Sequence, residues 1–156
     1  MRIWVLRHGQ AQAHAATDAQ RPLTEVGRQE ALTMACRLQG EPLDVILASP
    51  YVRAQQTAAL VRDQLELRRA IVTVDWATPD DDPLAVLDHL AERSEANILL
   101  VSHQPLVGLL LSLAVDGHRQ THFPMPTAAL ACLEMELPAA GVAELIELSN
   151  PASLSG

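Results

Sequence analysis

Arg7 and His8 stand side by side just before Gly9, at the end of the apolar run Ile3-Trp4-Val5-Leu6. A guanidinium can grip phosphate oxygens as a fork, and an imidazole nitrogen can attack phosphorus. A glycine beside them lets the backbone turn tightly. These residue types in this order point to phosphoryl transfer. The tripeptide is short, however, and a lone histidine after a strand serves as readily as a hydrogen-bonded core residue. Its weight depends on what else the chain brings to it.

Two other segments carry matching chemistry. Arg53 lies in Ser49-Pro50-Tyr51-Val52-Arg53, in the first turn of a helix that Ser49-Pro50 predicts. A cation there opposes the helix dipole. Arginines are ordinary on exposed helices, but a bound anion at that helix start would favour this one. His103 follows Leu99-Leu100-Val101-Ser102 and precedes Gln104-Pro105. It reads either as a turn residue or, beside His8, as a second phosphate ligand.

The elements that must position these residues alternate between strand and helix. Ile3-Leu6 reads as a first buried strand. Thr24 can cap a helix from Glu25 to about Gln39, with Ala31, Ala35 and Leu38 on one face and Gly40 as its stop. Val45-Ala48 is a second strand. Ser49-Pro50 reads as a helix cap followed by proline at the first helical position, with the helix running to about Leu67. Ile71-Val74 is a third strand. Asp82-Pro83 repeats the cap-plus-proline signal and opens a helix to about Arg93. Ile98-Val101 is a fourth, central strand, and Pro105 starts a helix through Leu113 and Ala114. Ala129-Glu136 and Val142-Leu148 form a closing hairpin. The domain is expected over 1–148, with Ser149-Gly156 as a frayed tail. Alternation of this kind predicts an α/β fold: a three-layer α/β/α sandwich around a mostly parallel sheet. Ligands bind at the carboxyl ends of strands in such sheets. Arg7-His8, Ser49 to Arg53 and Ser102-His103 all fall at such ends.

Composition narrows the function. The 156 residues suffice for one full core, and 49% are apolar. The net charge of -8 argues against a nucleic-acid partner, which needs basic stripes. Cys36 and Cys132 form no CxxC motif and read as reduced thiols. Met1-Arg2 leads straight into a strand, and no apolar run approaches the ~20 residues of a membrane span. The chain is therefore expected to be cytoplasmic, with no membrane partner. His118 and His122 have an H-x3-H spacing without supporting acids or cysteines, and read as loop histidines rather than metal ligands. No glycine-rich P-loop is present, and neither cysteine sits in a phosphate-cradling loop with a following arginine.

Leu6-Arg7-His8-Gly9, Ser49-Pro50 with Arg53 and Gln56-Thr57-Ala58, and Val101-Ser102-His103 together resemble the histidine phosphatase superfamily, the phosphoglycerate mutase-like proteins with the RHG motif. Arg21-Pro22-Leu23-Thr24 within Asp18 to Gly27, and Ser102-His103-Gln104-Pro105-Leu106-Val107, look like the small SixA-type phosphohistidine phosphatases. The resemblance implies a phosphoglycerate mutase-like fold. It implies that His8 is the nucleophile that becomes phosphorylated, and that Arg7, Arg53 and His103 hold the phosphoryl oxygens without metal or other cofactor. A protonated His103 would add positive charge. The implied substrate partner is a phosphorylated histidine-containing phosphotransfer protein. Two other functions compete: a metal-independent phosphomonoesterase for a small metabolite, and a phosphoryl-binding module without turnover.

The chain departs from the superfamily in its acid. The residue after Gly9, often acidic in relatives, is Gln10. Asp80 and Asp81 lie where relatives carry a proton donor, but also suit a solvated turn, and Asp82 is better explained as a helix cap. A labile P–N bond needs less acid assistance than an ester. Only Asp75 to Asp81 separates the third strand from the next helix, leaving no room for a helical lid. Gln10, Gln104 and a mobile loop from Ala11 to Gln20 are expected at the pocket rim. Asp18 and Arg21 either pair at the base of that loop or are solvated, and Trp76 lies near the pocket entrance.

Overall fold

The computed structural model describes residues 1–154. Its centre is a six-stranded sheet in the order β3-β2-β4-β1-β5-β6. The strands are β1 (Arg2–Arg7), β2 (Val45–Ala48), β3 (Val72–Thr73), β4 (Asn97–Ser102), β5 (Leu130–Glu134) and β6 (Glu144–Ser149). β1, β2, β3 and β4 run parallel, while β5 and β6 are antiparallel additions beyond β1. The helices are α1 (Glu25–Leu38), α2 (Val52–Gln64), α3 (Pro83–Ala91), α4 (Leu106–Asp116) and α5 (Pro151–Leu154).

Successive strand residues face opposite sides, so strands buried on both faces are apolar throughout. Ile3 and Val5 of β1 join Ile98 and Leu100 of β4 against Val86, Leu87 and Leu90 of α3 and Leu110 and Leu111 of α4. Trp4 and Leu6 join Leu99 and Val101 on the other face, against Met34 and Leu38 of α1 and Ala58 and Val61 of α2. The two cores are the two interfaces of an α/β/α sandwich. The sandwich has the mostly parallel sheet that the alternation predicts.

Local signals placed several boundaries. The Thr24 hydroxyl accepts the Gly27 N–H at the start of α1, and the Asp82 carboxylate accepts that of Leu84 at the start of α3. β4 lies between β2 and β1, central as its composition predicts.

Other expectations fail locally. α2 begins at Val52 behind Tyr51, with no side-chain cap, and ends at Gln64 rather than near Leu67. The Ser49 hydroxyl is turned elsewhere. β3 shrinks to Val72–Thr73, an exposed pair at the sheet edge, while Ile71 and Val74 on either side of it pack into the two cores. The segment after β6 is not simply frayed: Ser149 is the last residue of β6, and Asn150 and Ser153 close the turn of α5 through reciprocal hydrogen bonds. Residues 155–156 of the expected tail lie outside the described residues. The loop from Ala11 to Gln20 is tied at both ends. Ala11 bridges Leu23, Gln12 N–H donates to the Pro22 carbonyl, and Asp18–Gln20 form a 3-10 turn. Among the described residues, no helix is long and apolar enough to cross a membrane.

Candidate active site

Sheet register brings the three polar segments together. Arg7 pairs with Ser102 across β1 and β4, and Ala48 pairs with Val101 across β2 and β4. The next residue along each strand therefore leaves the sheet at the same edge: His8, His103 and Ser49. The His8 N–H donates to the Ser102 carbonyl at 3.0 Å, extending the ladder one step into the site.

His8 is buried, and its Nδ1 lies 2.7 Å from the Gly9 carbonyl oxygen. A carbonyl only accepts, so Nδ1 carries the proton and Nε2 carries the lone pair. Arg53 Nε donates toward that Nε2 at 3.3 Å. Burial pushes the His8 pKa down to about 4, with the positive charges of Arg53 and Arg7 contributing and the bond to Gly9 opposing. The ring is a neutral base at neutral pH.

Arg53 follows Val52 in the first turn of α2 and is buried to 3% exposure. Its Nη1 donates to the Asp18 carbonyl at 2.7 Å and its Nη2 to the Asp18 carboxylate at 3.1 Å. Its guanidinium lies 5.0 Å over the Tyr51 ring. The Asp18 carboxylate also receives Arg21 Nε at 2.8 Å, and hydrogen bonds from Arg21 and then Arg53 hold it below the usual carboxylate range. Asp18 thus supplies part of the compensation that Arg53 needs against the helix dipole.

Arg7 donates from Nη1 to the Met125 carbonyl at 2.9 Å, while its Nε is buried with no partner. Burial draws this guanidinium below the usual arginine range, with Glu30 opposing and Arg53 adding to the shift. His103 is 1% exposed; its Nε2 lies 2.7 Å from the Ser49 hydroxyl, and its Nδ1 is buried without a partner. Its ring centroid is 5.0 Å from that of His8 and 5.0 Å from that of Tyr51, which meets it edge-on. Burial, followed by the His8 and Arg53 charges, pushes its pKa down to about 2. Of the two protonation states open to the ring, burial favours the neutral one.

The turn carrying His8 is held from three sides. The Gly9 N–H donates to the Thr57 hydroxyl at 3.1 Å, and that hydroxyl donates to the Arg53 carbonyl at 2.8 Å. The Gln10 N–H donates to Glu30 at 2.8 Å, and Glu30 also accepts from the Thr127 hydroxyl at 3.1 and 3.0 Å. The Ala128 N–H reaches the His8 carbonyl at 2.8 Å.

His8, Arg53 and His103 thus cluster at the carboxyl ends of β1, β2 and β4, with Arg7 next to His8 in the chain. Asp80 is exposed, and Asp81 closes a turn by accepting from the Thr78 N–H at 2.7 Å and its hydroxyl at 2.6 Å. Asp82 caps α3 and pairs with Arg119 at 2.9 Å. Among the described residues, no hydrogen bond joins Asp80 or Asp81 to Arg7, His8, Arg53 or His103. The Gln10 side-chain oxygen accepts from Thr24, and that of Gln104 accepts from the Gly108 N–H. Trp76 packs against the core and stacks on His89 at 4.9 Å. His118 is engaged through Nδ1 with the Gln120 N–H.

Sequence reasoning assigned no role to Thr57, Glu30 or the Ser49–His103 bond. Thr57 was detectable in principle, one helical turn after Arg53 on the same face. Glu30 has no local signature, because its partners at Gln10 and Thr127 meet only in the fold.

Residues 3–76 match the family model of the histidine phosphatase superfamily (branch 1). The chain is 35% identical over 141 residues to the phosphohistidine phosphatase SixA of Escherichia coli K12, spanning 87% of this chain and 86% of that protein. It is 35% identical over 124 residues to the SixA homolog of Haemophilus influenzae, spanning 72% and 76%. The structure of the protein histidine phosphatase SixA complexed with tungstate superposes with a TM-score of 0.89 at 32% identity, covering 99% of each chain.

Proposed function

This chain belongs to the histidine phosphatase superfamily, and on that premise we propose that it hydrolyses phosphohistidine on a protein through a phospho-His8 intermediate. The observation that carries this reading is the state of His8. Its Nδ1–H is held by the Gly9 carbonyl, leaving the lone pair on Nε2 of a neutral ring, toward which Arg53 Nε donates. Two further polar atoms, Arg7 Nε and His103 Nδ1, are buried beside it without partners. A bound phosphoryl group supplies partners for both.

The chemistry follows in two displacements. With the phosphoryl oxygens on Arg7, Arg53 and His103, His8 Nε2 attacks phosphorus as the P–N bond to the substrate imidazole breaks. The electron pair returns to that nitrogen, and the imidazole leaves neutral when its other nitrogen carries a proton. Water then attacks phospho-His8, the Nε2–P bond breaks, and inorganic phosphate is released. Positioning and charge stabilisation of the equatorial oxygens carry most of the catalysis.

The pocket's carboxylates fit a substrate that needs no strong acid. Asp18 is engaged by Arg21 and Arg53, and Glu30 by Gln10 and Thr127. An ester oxygen would need a proton as it leaves; a protonated phosphoimidazole does not. The substrate we infer is a phosphorylated histidine-containing phosphotransfer protein. The test is phosphate release from a phosphohistidine protein and from a panel of small phosphate esters, with His8→Ala as control. Faster release from the phosphoprotein, abolished by His8→Ala, is expected. A small ester hydrolysed far better, or full turnover by His8→Ala, overturns the proposal.

A further inference from the structure

Ser49 follows β2 directly and is fully buried, and its hydroxyl lies 2.7 Å from His103 Nε2. We propose that Ser49 is a positioning residue that sets the tautomer of His103, so that the ring presents Nδ1–H to the transferring phosphoryl group. The inference rests on the reading of His103 as a phosphoryl ligand.

A hydroxyl has one proton and two lone pairs. The Tyr51 N–H donates to Ser49 Oγ at 3.3 Å and takes one lone pair. His103 Nε2 lies 2.7 Å from the same oxygen. If Nε2 carried the ring proton it would fill the second lone pair, and the buried hydroxyl proton would need another acceptor. Among the described residues, Nε2 is the acceptor in reach of that proton. The consistent arrangement is Ser49 O–H donating to Nε2, which places the ring proton on Nδ1.

Nδ1 is the buried atom without a partner. Toward phosphoryl oxygens its two possible states differ in sign: N–H attracts, a lone pair repels. Burial keeps the ring neutral. In the neutral ring that burial favours, the donor comes from the choice of tautomer. The Tyr51 edge and the His8 ring, each 5.0 Å away, hold the imidazole plane while Ser49 selects its protonated edge. The N-cap of α2 is Tyr51, two residues after Ser49, and the backbone N–H that reaches the Ser49 hydroxyl is that of Tyr51 itself.

The test is a long-range proton–nitrogen correlation spectrum of the full chain labelled with 15N-histidine at pH 7.5, with His103 assigned through His103→Gln. The expected wild-type signal is Nδ1–H. Ser49→Ala should move the proton to Nε2 and lower kcat on a phosphohistidine protein by roughly 10–100-fold, the loss seen when outer partners of metal-bound histidines are removed. Ser49→Thr, which keeps the hydroxyl, should restore the tautomer and most of the rate. A wild-type His103 protonated on Nε2 overturns the proposal without any variant. So does Ser49→Ala with Nδ1–H retained, or with wild-type kcat despite a switched tautomer. If the tautomer switches as expected but wild-type protein releases no phosphate from phosphohistidine, the assignment of Ser49 stands and the proposed activity falls.

Discussion

Gly27→Ala should damage this protein in a way that helix propensity predicts backwards. Gly27 lies in the first turn of α1, where alanine would ordinarily stabilise by about 1 kcal/mol. Here α1 packs backbone to backbone against the turn that carries His8. A Cβ on Gly27 would lie 2.0 Å from the Gln10 carbonyl oxygen and 2.8 Å from the Gln10 nitrogen. Ordinary contact begins at 3.4 Å, so the turn and the helix must part by about 1.4 Å (3.4 − 2.0). The obstructing atoms are backbone, so no rotamer change relieves them. The reciprocal contact is as tight, with a Cβ on Gly9 falling 2.3 Å from the Gly27 carbonyl oxygen. Overpacking of this kind costs about 1–3 kcal/mol, which cancels or exceeds the helix gain. Displacement of the His8 turn by about 1 Å lowers kcat/KM on the order of 100-fold. The assay is steady-state phosphate release from a phosphohistidine protein, paired with urea unfolding. Gly40→Ala is the control, because Gly40 has φ +87° but open space around it. It should cost about 1–2 kcal/mol through backbone strain and leave kcat unchanged. A Gly27→Ala protein as stable as wild type, with kcat/KM within about twofold of wild type, would refute the reasoning.

Two further outcomes follow from the same geometry. Thr57→Val keeps the shape of a fully buried side chain but leaves the Gly9 N–H without an acceptor. It should lose about 1–3 kcal/mol in urea unfolding and lower kcat more than it raises KM; equal stability and equal kcat would contradict the role given to Thr57. The second outcome concerns pH. Burial lowers the His8 pKa to about 4 and that of His103 to about 2, so between those values and the unfolded pKa of about 6.5 the unfolded chain binds protons that the folded chain does not. Stability should therefore fall as pH drops below about 6.5, by roughly 1 kcal/mol per histidine between pH 7.5 and 5.5. A His8→Asn, His103→Gln double variant should lose that part of the slope, and parallel urea midpoints for the two proteins over this range would rule the linkage out.

What the sequence determined by itself was local. Strands β1, β2 and β4 are short runs of apolar residues, and their burial on both faces follows from that composition. Thr24 and Asp82 cap their helices because a short polar side chain meets a free N–H within the same turn. Arg7, His8, Arg53 and His103 were legible as chemically apt residues at strand ends. The tertiary structure alone decided which ends meet. β4 comes to lie between β1 and β2, so His103 arrives beside both His8 and Ser49, residues far before it in the sequence. Ser49 shows the competition most clearly. By sequence it is a helix cap, yet its hydroxyl is committed to an imidazole 54 positions away. Asp18 bonding Arg53, and Glu30 joining Gln10 to Thr127, are likewise invisible to any local pattern. Periodicity and capping report free energies set within a few residues. Sheet order and buried polar pairing are set by how separate faces pack, and only the folded chain brings those partners within a hydrogen bond's reach.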